Sequence, residues 1–387
     1  MDFALSSDQE MIRDTAEAFL AEVSASAAVR TAMQSATGYD EGTWARIGQE
    51  LGWCAITIPD KYDGLGLTSV ELVLLMEQMG RRLLCAPFFS TVCLAAQVLL
   101  EVADEDARQR YLPHIAAGEL TATVALADTG IDWQPQNVNA TVSVCEDGFV
   151  INGSFQHVPN GASADLLIVP ARNVDFSGDV GTVALYAFPS TLSGITRTAH
   201  VNIDTTRRIA AVKLDQVMLL RDALIATPQQ VEQGMPRAMA LAALALAAEQ
   251  LGGAQQCLDL TLAYTAERVQ FGRTIASFQA IKHRCAEMMV NIEATRSAIY
   301  GAASVAASLG SGSDEAFLLE AACAKTLASD TFFHCAGEAI QLHGGVGFTW
   351  EFDPQLYFKR AQASAHWLGS ADALREQVAT ALLGPAC

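Results

Sequence analysis

Apolar residues recur at three- and four-residue spacing through residues 1–121, the period of helices with one buried face. The opening "MDFALSSDQEMIRDTAEAF" starts one such helix, with Ser6 or Ser7 placed to cap it and Glu10 downstream. "LGWCAITIPDKYDGLGLTSVELVLLMEQMGRRL" reads as a loop punctuated by Gly and Pro between two helices, and "EDARQRYLPHIAAGEL" closes the region. From residue 122 the period shortens. "ATVSV" and "FVINGSF" flank "CEDG", a hairpin signal with Asp147-Gly148 at the turn. "ADLLIVPA", "TVALYAFP" and "RRIAAVKLDQVML" are further strands. From about residue 231 the helical period returns. One long segment carries a soft interior at Gly252-Gly253, two more follow, and "SLGSGSDEA" (308–316) reads as a loop between helices. "SAHWLGSADALRE" (364–376) reads as a turn between the last two helices. The expected class is α+β and multi-domain. A helical domain spans 1–121, a small β-domain of sandwich or barrel type spans 122–230, and a four-helix-type bundle spans 231–387.

Composition narrows the function classes. Hydrophobic residues make up 51% of the 387 and charged residues 17%, which favours a chain that buries surface against other subunits. The net charge of -19 argues against nucleic-acid and membrane-surface partners, both of which attract Lys and Arg. The longest apolar run, 238–248, is short of the roughly 20 residues a membrane span needs. Nine cysteines are scattered with no metal spacing and read as reduced core residues of a cytoplasmic protein.

Two stretches carry chemistry. "RVQFGRTIASFQAIKHRCAEM" contains Arg268, Phe271, Gly272 and Gln279; "AIQLHGGVGFTWEFDPQLYFKRA" contains Gln341, Gly344, Gly345 and Gly347. At this spacing, and with the N-terminal stretches quoted above, the whole chain resembles the acyl-CoA dehydrogenase family. The resemblance implies FAD, a tetramer, and dehydrogenation of an acyl-CoA thioester to the 2-enoyl-CoA, with an electron-transfer flavoprotein as acceptor. In such chemistry a carboxylate removes the α-proton in a dry pocket while the flavin carries the redox step.

The departures from the family pattern cluster on one side of that chemistry. The family's glutamate precedes a Gly-Thr pair; here Gly369 and Ser370 match the pair, so the base position is Leu368. The alternative place on the long helix falls near Ala242 and Ala243. Of a T-E-P-x-A-G-S-D pattern, "ALADTGIDWQPQ" keeps only an echo at Asp128, Gly130 and Asp132. His157 replaces an aromatic residue and Pro159 a Thr at the flavin ring, and Lys359-Arg360 replaces Arg-Asp. What survives is what the family lends across an interface. Arg268 suits phosphate oxygens, and the glycines let backbone amides approach an anion. The resemblance therefore implies a non-catalytic subunit of an α2β2 heterotetramer whose sister chain supplies the glutamate and the acyl pocket, with a CoA thioester of a steroid side chain as substrate. Glu249 and Asp372 are the displaced-base candidates of an alternative homotetramer, and a flavin-free scaffold on the same fold is a third reading. His157 and His343 are also readable as packing residues.

Overall fold

The structure, a computed structural model, describes residues 5–126, 134, 137–174, 180–308 and 315–384. The N-terminal part contains α1 (Ser7–Val23), α2 (Ser26–Gln34), α3 (Glu41–Ala45), α4 (Ser69–Arg81), α5 (Ala96–Glu101) and α6 (Glu105–Ala116), with π-helical turns at Arg46–Glu50 and Phe89–Ala95. Ser6 caps α1, and its reciprocal partner is Gln9 rather than Glu10: Gln9 N donates to Ser6 Oγ at 3.2 Å and Ser6 N to Gln9 Oε1 at 3.0 Å. Thr68 with Glu71 caps α4 in the same way.

The middle part contains β1 (Ala122–Val124), β2 (Thr141–Val144), β3 (Gly148–Pro159), β4 (Leu166–Val174), β5 (Val180–Pro189), β6 (Ile195–Ala199), β7 (Ile209–Leu220) and β8 (Leu224–Ala226). They form one mixed sheet in the order β6-β7-β3-β2-β4-β5-β8, with β1 parallel on β4. The expected hairpin is present: Cys145 N donates to Gly148 O at 3.0 Å, and Val144 pairs with Phe149. Alternation puts Phe155, Val212, Val217 and Tyr186 into a core of its own.

The C-terminal part contains α7 (Pro228–Glu267), the two-residue strands β9 (Val269–Gln270) and β10 (Arg273–Thr274), α8 (Gln279–Ser308), α9 (Glu315–His343), α10 (Pro354–Ser364) and α11 (Ala371–Leu383). Thr227 caps α7 with Gln230, and Pro228 fills its first turn, where no backbone donor is needed. The middle of α7 is buried on all sides, and its small residues allow the close packing. At Gly252 an added Cβ would lie 1.8 Å from the Glu77 carbonyl oxygen, and at Gly80 1.9 Å from that of Glu249. Gly252 is therefore where α7 and α4 touch backbone to backbone, and Gly253 is where the Phe332 ring of α9 presses on α7, so the pair is not a soft spot. One apolar cluster runs continuously through the N-terminal helices and the bundle. The α+β class of helical, β-sheet and helical parts is as expected. No described helix is long and apolar enough to cross a membrane.

Candidate functional site

The turn between α10 and α11 holds the expected base position. Leu368 adopts φ +54° and Gly369 φ +108°, a left-handed pair that a β-carbon strains. At Gly369 an added Cβ would also lie 2.7 Å from Leu374. Ser370 caps α11 by accepting from Ala373 N at 3.3 Å. Leu368 lines a cleft of about 990 Å3 between the β-sheet part and the bundle, with Ala240, Ala243, Arg172 and Thr182 among its walls. Ala243 faces this cleft; Ala242 is fully buried. Among the described residues the one carboxylate on its wall is Glu232. Glu232 is exposed and sits eleven residues before Ala243 on α7, about 16 Å along the helix axis. Neither matched base position holds an acid.

Behind Leu368 lies a buried network that the linear pattern did not reveal. Loop 200–208 between β6 and β7 sends Asp204, Thr206 and Arg207 inward. Arg207 pairs with Glu249 Oε2, and Arg360 with Glu249 Oε1. Arg360 Nε also donates to Asp204 Oδ2 at 2.7 Å, and its Nη2 to Thr206 Oγ1 at 2.6 Å. Burial works to raise the Glu249 carboxyl, but the charges and hydrogen bonds of Arg207 and Arg360 overcome it and hold it below the usual carboxylate range. Burial likewise opposes the charge of Arg360, and Asp204 and Glu249 overcome it. A carboxylate with both oxygens held by guanidinium groups is poorly placed to accept a substrate proton. Asp372 is 98% exposed and pairs with Arg375 at 3.1 Å, turned to solvent. The run "DTTRR" at 204–208 was the available signal, but its partners lie 42 and more residues away in sequence.

The segment expected at the flavin ring lies at the end of β3. His157 is exposed, its ring centre 6.1 Å from that of His200, and burial followed by the His200 charge lowers its pKa. Pro159 offers no backbone donor, and its carbonyl accepts from Thr123 Oγ1 at 2.6 Å. Asn160, at φ +53°, accepts from Ser90 Oγ at 3.2 Å. Lys359 lies 4.4 Å from the Trp350 ring centre. Asp128, Gly130 and Asp132 lie outside the described residues.

The other candidate residues gather at the far end of the bundle. Arg268 closes α7 and leads into the β9–β10 hairpin, where Phe271 takes φ +53° and Gly272 φ +77°. Gln279 then opens α8. Gln341 sits in the last turn of α9, and Gly344, at φ +65°, starts the turn Gly344–Phe348. The stack of Tyr264 on His343, with ring centres 4.4 Å apart and planes 20° apart, ties the two stretches together. Burial lowers the His343 pKa, opposed by the hydrogen bond to the Ala339 carbonyl. Arg268, Phe271, Gly272, Gln279, Gln341, Gly344 and Gly345 are all exposed, Phe271 at 91%. At Gly272, Gly344 and Gly345 an added Cβ would meet nothing within 4 Å. Arg268 is twenty-five residues past Ala243 on α7, about 37 Å along the axis. The candidates thus split: Ser370 stays beside Leu368, while the other seven face outward at the opposite end.

The profile of the acyl-CoA dehydrogenase N-terminal domain matches residues 6–119, and that of the C-terminal domain matches residues 233–383. The chain is 33% identical over 365 residues to acyl-CoA dehydrogenase IpdE2 of Mycolicibacterium smegmatis, covering 94% of this chain and 96% of that one. Its fold matches a variant of the Tcur3481-Tcur3483 steroid ACAD at a TM-score of 0.83 and 25% identity, over 97% of each chain. It also matches the ChsE4-ChsE5 complex from Mycobacterium tuberculosis at a TM-score of 0.86 and 22% identity, over all of both chains. The chain belongs to the acyl-CoA dehydrogenase family, whose members are FAD-dependent oxidoreductases acting on acyl-CoA.

Proposed function

We propose that this chain is the base-less subunit of a heteromeric acyl-CoA dehydrogenase, an α2β2 assembly in which a sister chain supplies the catalytic carboxylate and the acyl pocket. The observation that carries this reading is at the Leu368 turn. A leucine and an alanine stand where an acid is required, and the nearby Glu249 is held by two arginines. When bound, FAD supplies the redox chemistry of the family by accepting hydride.

The residues of this chain fit one half of such a cofactor and not the other. Exposed Arg268 suits pyrophosphate oxygens through its forked donors. Gly272, Gly344 and Gly345 leave their backbones open to close approach from outside. At the ring end, Pro159 lacks a donor and its carbonyl is already engaged by Thr123. The chain is thereby suited to lend contacts to a FAD seated in its sister. The likeness to the steroid ACAD supports a CoA thioester of a steroid side chain as substrate, and the family supports an electron-transfer flavoprotein as acceptor.

Co-expression with a sister chain that keeps the glutamate, followed by sizing and a flavin-to-protein ratio, tests the proposal. Two chains of each kind with one FAD per pair is the expected result. A yellow homotetramer of this chain alone, with one FAD per subunit and turnover, overturns it. A colourless assembly without turnover favours the scaffold reading.

A further inference from the structure

The interior behind Leu368 is closed by one guanidinium. The Arg207 Cζ lies 5.0 Å from the Phe89 ring centre and 4.9 Å from that of Trp367, and the two ring centres are 5.9 Å apart. One terminal nitrogen is held by Glu249. The other, Nη1, is buried without a hydrogen-bond partner among the described residues, as expected where a guanidinium faces aromatic rings. The cavity that remains beside Pro159, Phe89, Arg207 and Glu249 is about 30 Å3, roughly the share of one water. Trp367 precedes Leu368 directly. The stack therefore packs on the buried neighbour of Leu368, while Leu368 itself lines the 990 Å3 cleft.

The plug is anchored from both ends. Arg208, next to Arg207, donates to the carbonyls of Met33 at 2.9 Å and Ser35 at 2.7 Å, tying loop 200–208 to the N-terminal helices. Asp204 and Arg360 hold the other side. Two cations and two anions cancel, so the network needs no outside ion. An apolar tail that displaced Arg207 would strip Glu249 of one of its two cations and offer nothing in return.

Resting on the subunit reading above, we propose that Arg207 is a specificity-determining stop. It ends this chain's cleft at Leu368, so the acyl tail of a CoA thioester entering here extends no further than that turn. Discrimination of long or polycyclic tails then falls to the sister chain alone.

The test uses the full chain and S-butyl-, S-octyl- and S-dodecyl-CoA thioethers, which cannot be turned over, with affinities read by calorimetry. The wild-type chain should show no gain with tail length, its affinities agreeing within about twofold; a series that it binds nowhere counts as flat. The double variant Arg207→Ala/Glu249→Gln removes one charge of each sign and leaves the Asp204–Arg360 pair. It should gain about fourfold per methylene over the first carbons admitted. Phe89→Ala opens the same stack without touching a charge, and serves if circular dichroism shows the double variant unfolded. A wild-type series that already tightens with length overturns the proposal, as does a folded variant that stays flat. The readout is tail length only. A different flavin stoichiometry would leave it unchanged, and a steep wild-type series would leave the lending of Arg268 untouched.

Discussion

Glycines separate the inside of this molecule from its far end. At Gly80 and Gly252 an added Cβ would meet a backbone carbonyl within 2 Å, so the α4–α7 crossing accounts for both. At Gly272, Gly344 and Gly345 it would meet nothing within 4 Å. Their left-handed backbone already favours glycine at Gly272 and Gly344; at Gly345 no packing among the described residues does. The same division holds for the arginines. Arg207 and Arg360 are consumed by internal acids, while Arg268 is exposed at the bundle end. A subunit that lends rather than uses a cofactor site should look like this: charges neutralised where its own chemistry would sit, and an open backbone with a free-standing cation where a neighbour's begins.

The sharpest break of this comparison is inside. Glu249→Ala leaves buried Arg360 and half-buried Arg207 facing one aspartate, and should cost about 3–5 kcal/mol in a denaturant titration of the chain. If Glu249 were an idle or catalytic carboxylate, the loss would be small. Gly252→Ala comes next, because the Cβ cannot fit beside Glu77 without shifting the helices; about 1–3 kcal/mol is expected. Its outer counterpart, Gly345→Ala, should change stability by no more than about 0.5 kcal/mol, yet weaken flavin retention in the assembled complex. Equal effects at the two glycines would erase the contrast.

A smaller effect is expected with pH at the bundle end. The folded His343 has its pKa lowered below the ordinary 6.5, so folding favours its neutral form. Its contribution is complete above about pH 6.5, the unfolded value, and is lost as pH falls from there towards the lowered folded value. Melting temperature should therefore drop on acidification through that window, and His343→Gln should flatten part of the drop. Glu249 acts in a lower window. Its depressed folded pKa makes a contribution that is present above the ordinary carboxylate value and lost as pH falls below it.

Much of this was legible in the sequence because it is local. The 3.6-residue period marks the helices, alternation marks β3, β4, β5 and β7, and Asp147-Gly148 marks the hairpin. The Ser6 cap of α1 follows side-chain chemistry over three residues. Leu368 and Ala243 were found by matching motifs, and the structure sets both on the wall of one cleft. What stayed hidden depends on contacts between distant segments. The run at 204–208 looks like a polar loop until folding puts Arg207 against Glu249, 42 positions on, and Asp204 against Arg360, 156 positions on. Glu249 stood as a displaced-base candidate for the same reason. The parallel pairing of β1 and β2 with β4 left no mark in the residue pattern either. Gly252-Gly253 read as a weakness because the sequence does not show what presses on it.

The central claim, that Arg268 serves a cofactor seated in another chain, is tested most directly by flavin retention. The complex with the sister chain would be purified with wild-type or Arg268→Ala protein and washed by ultrafiltration, and bound FAD read from its absorbance. Loss of a charge-assisted contact worth about 1.5–3 kcal/mol should weaken FAD binding by about 10- to 150-fold, with size unchanged and turnover restored by added FAD. Undiminished flavin in the variant complex would contradict the account.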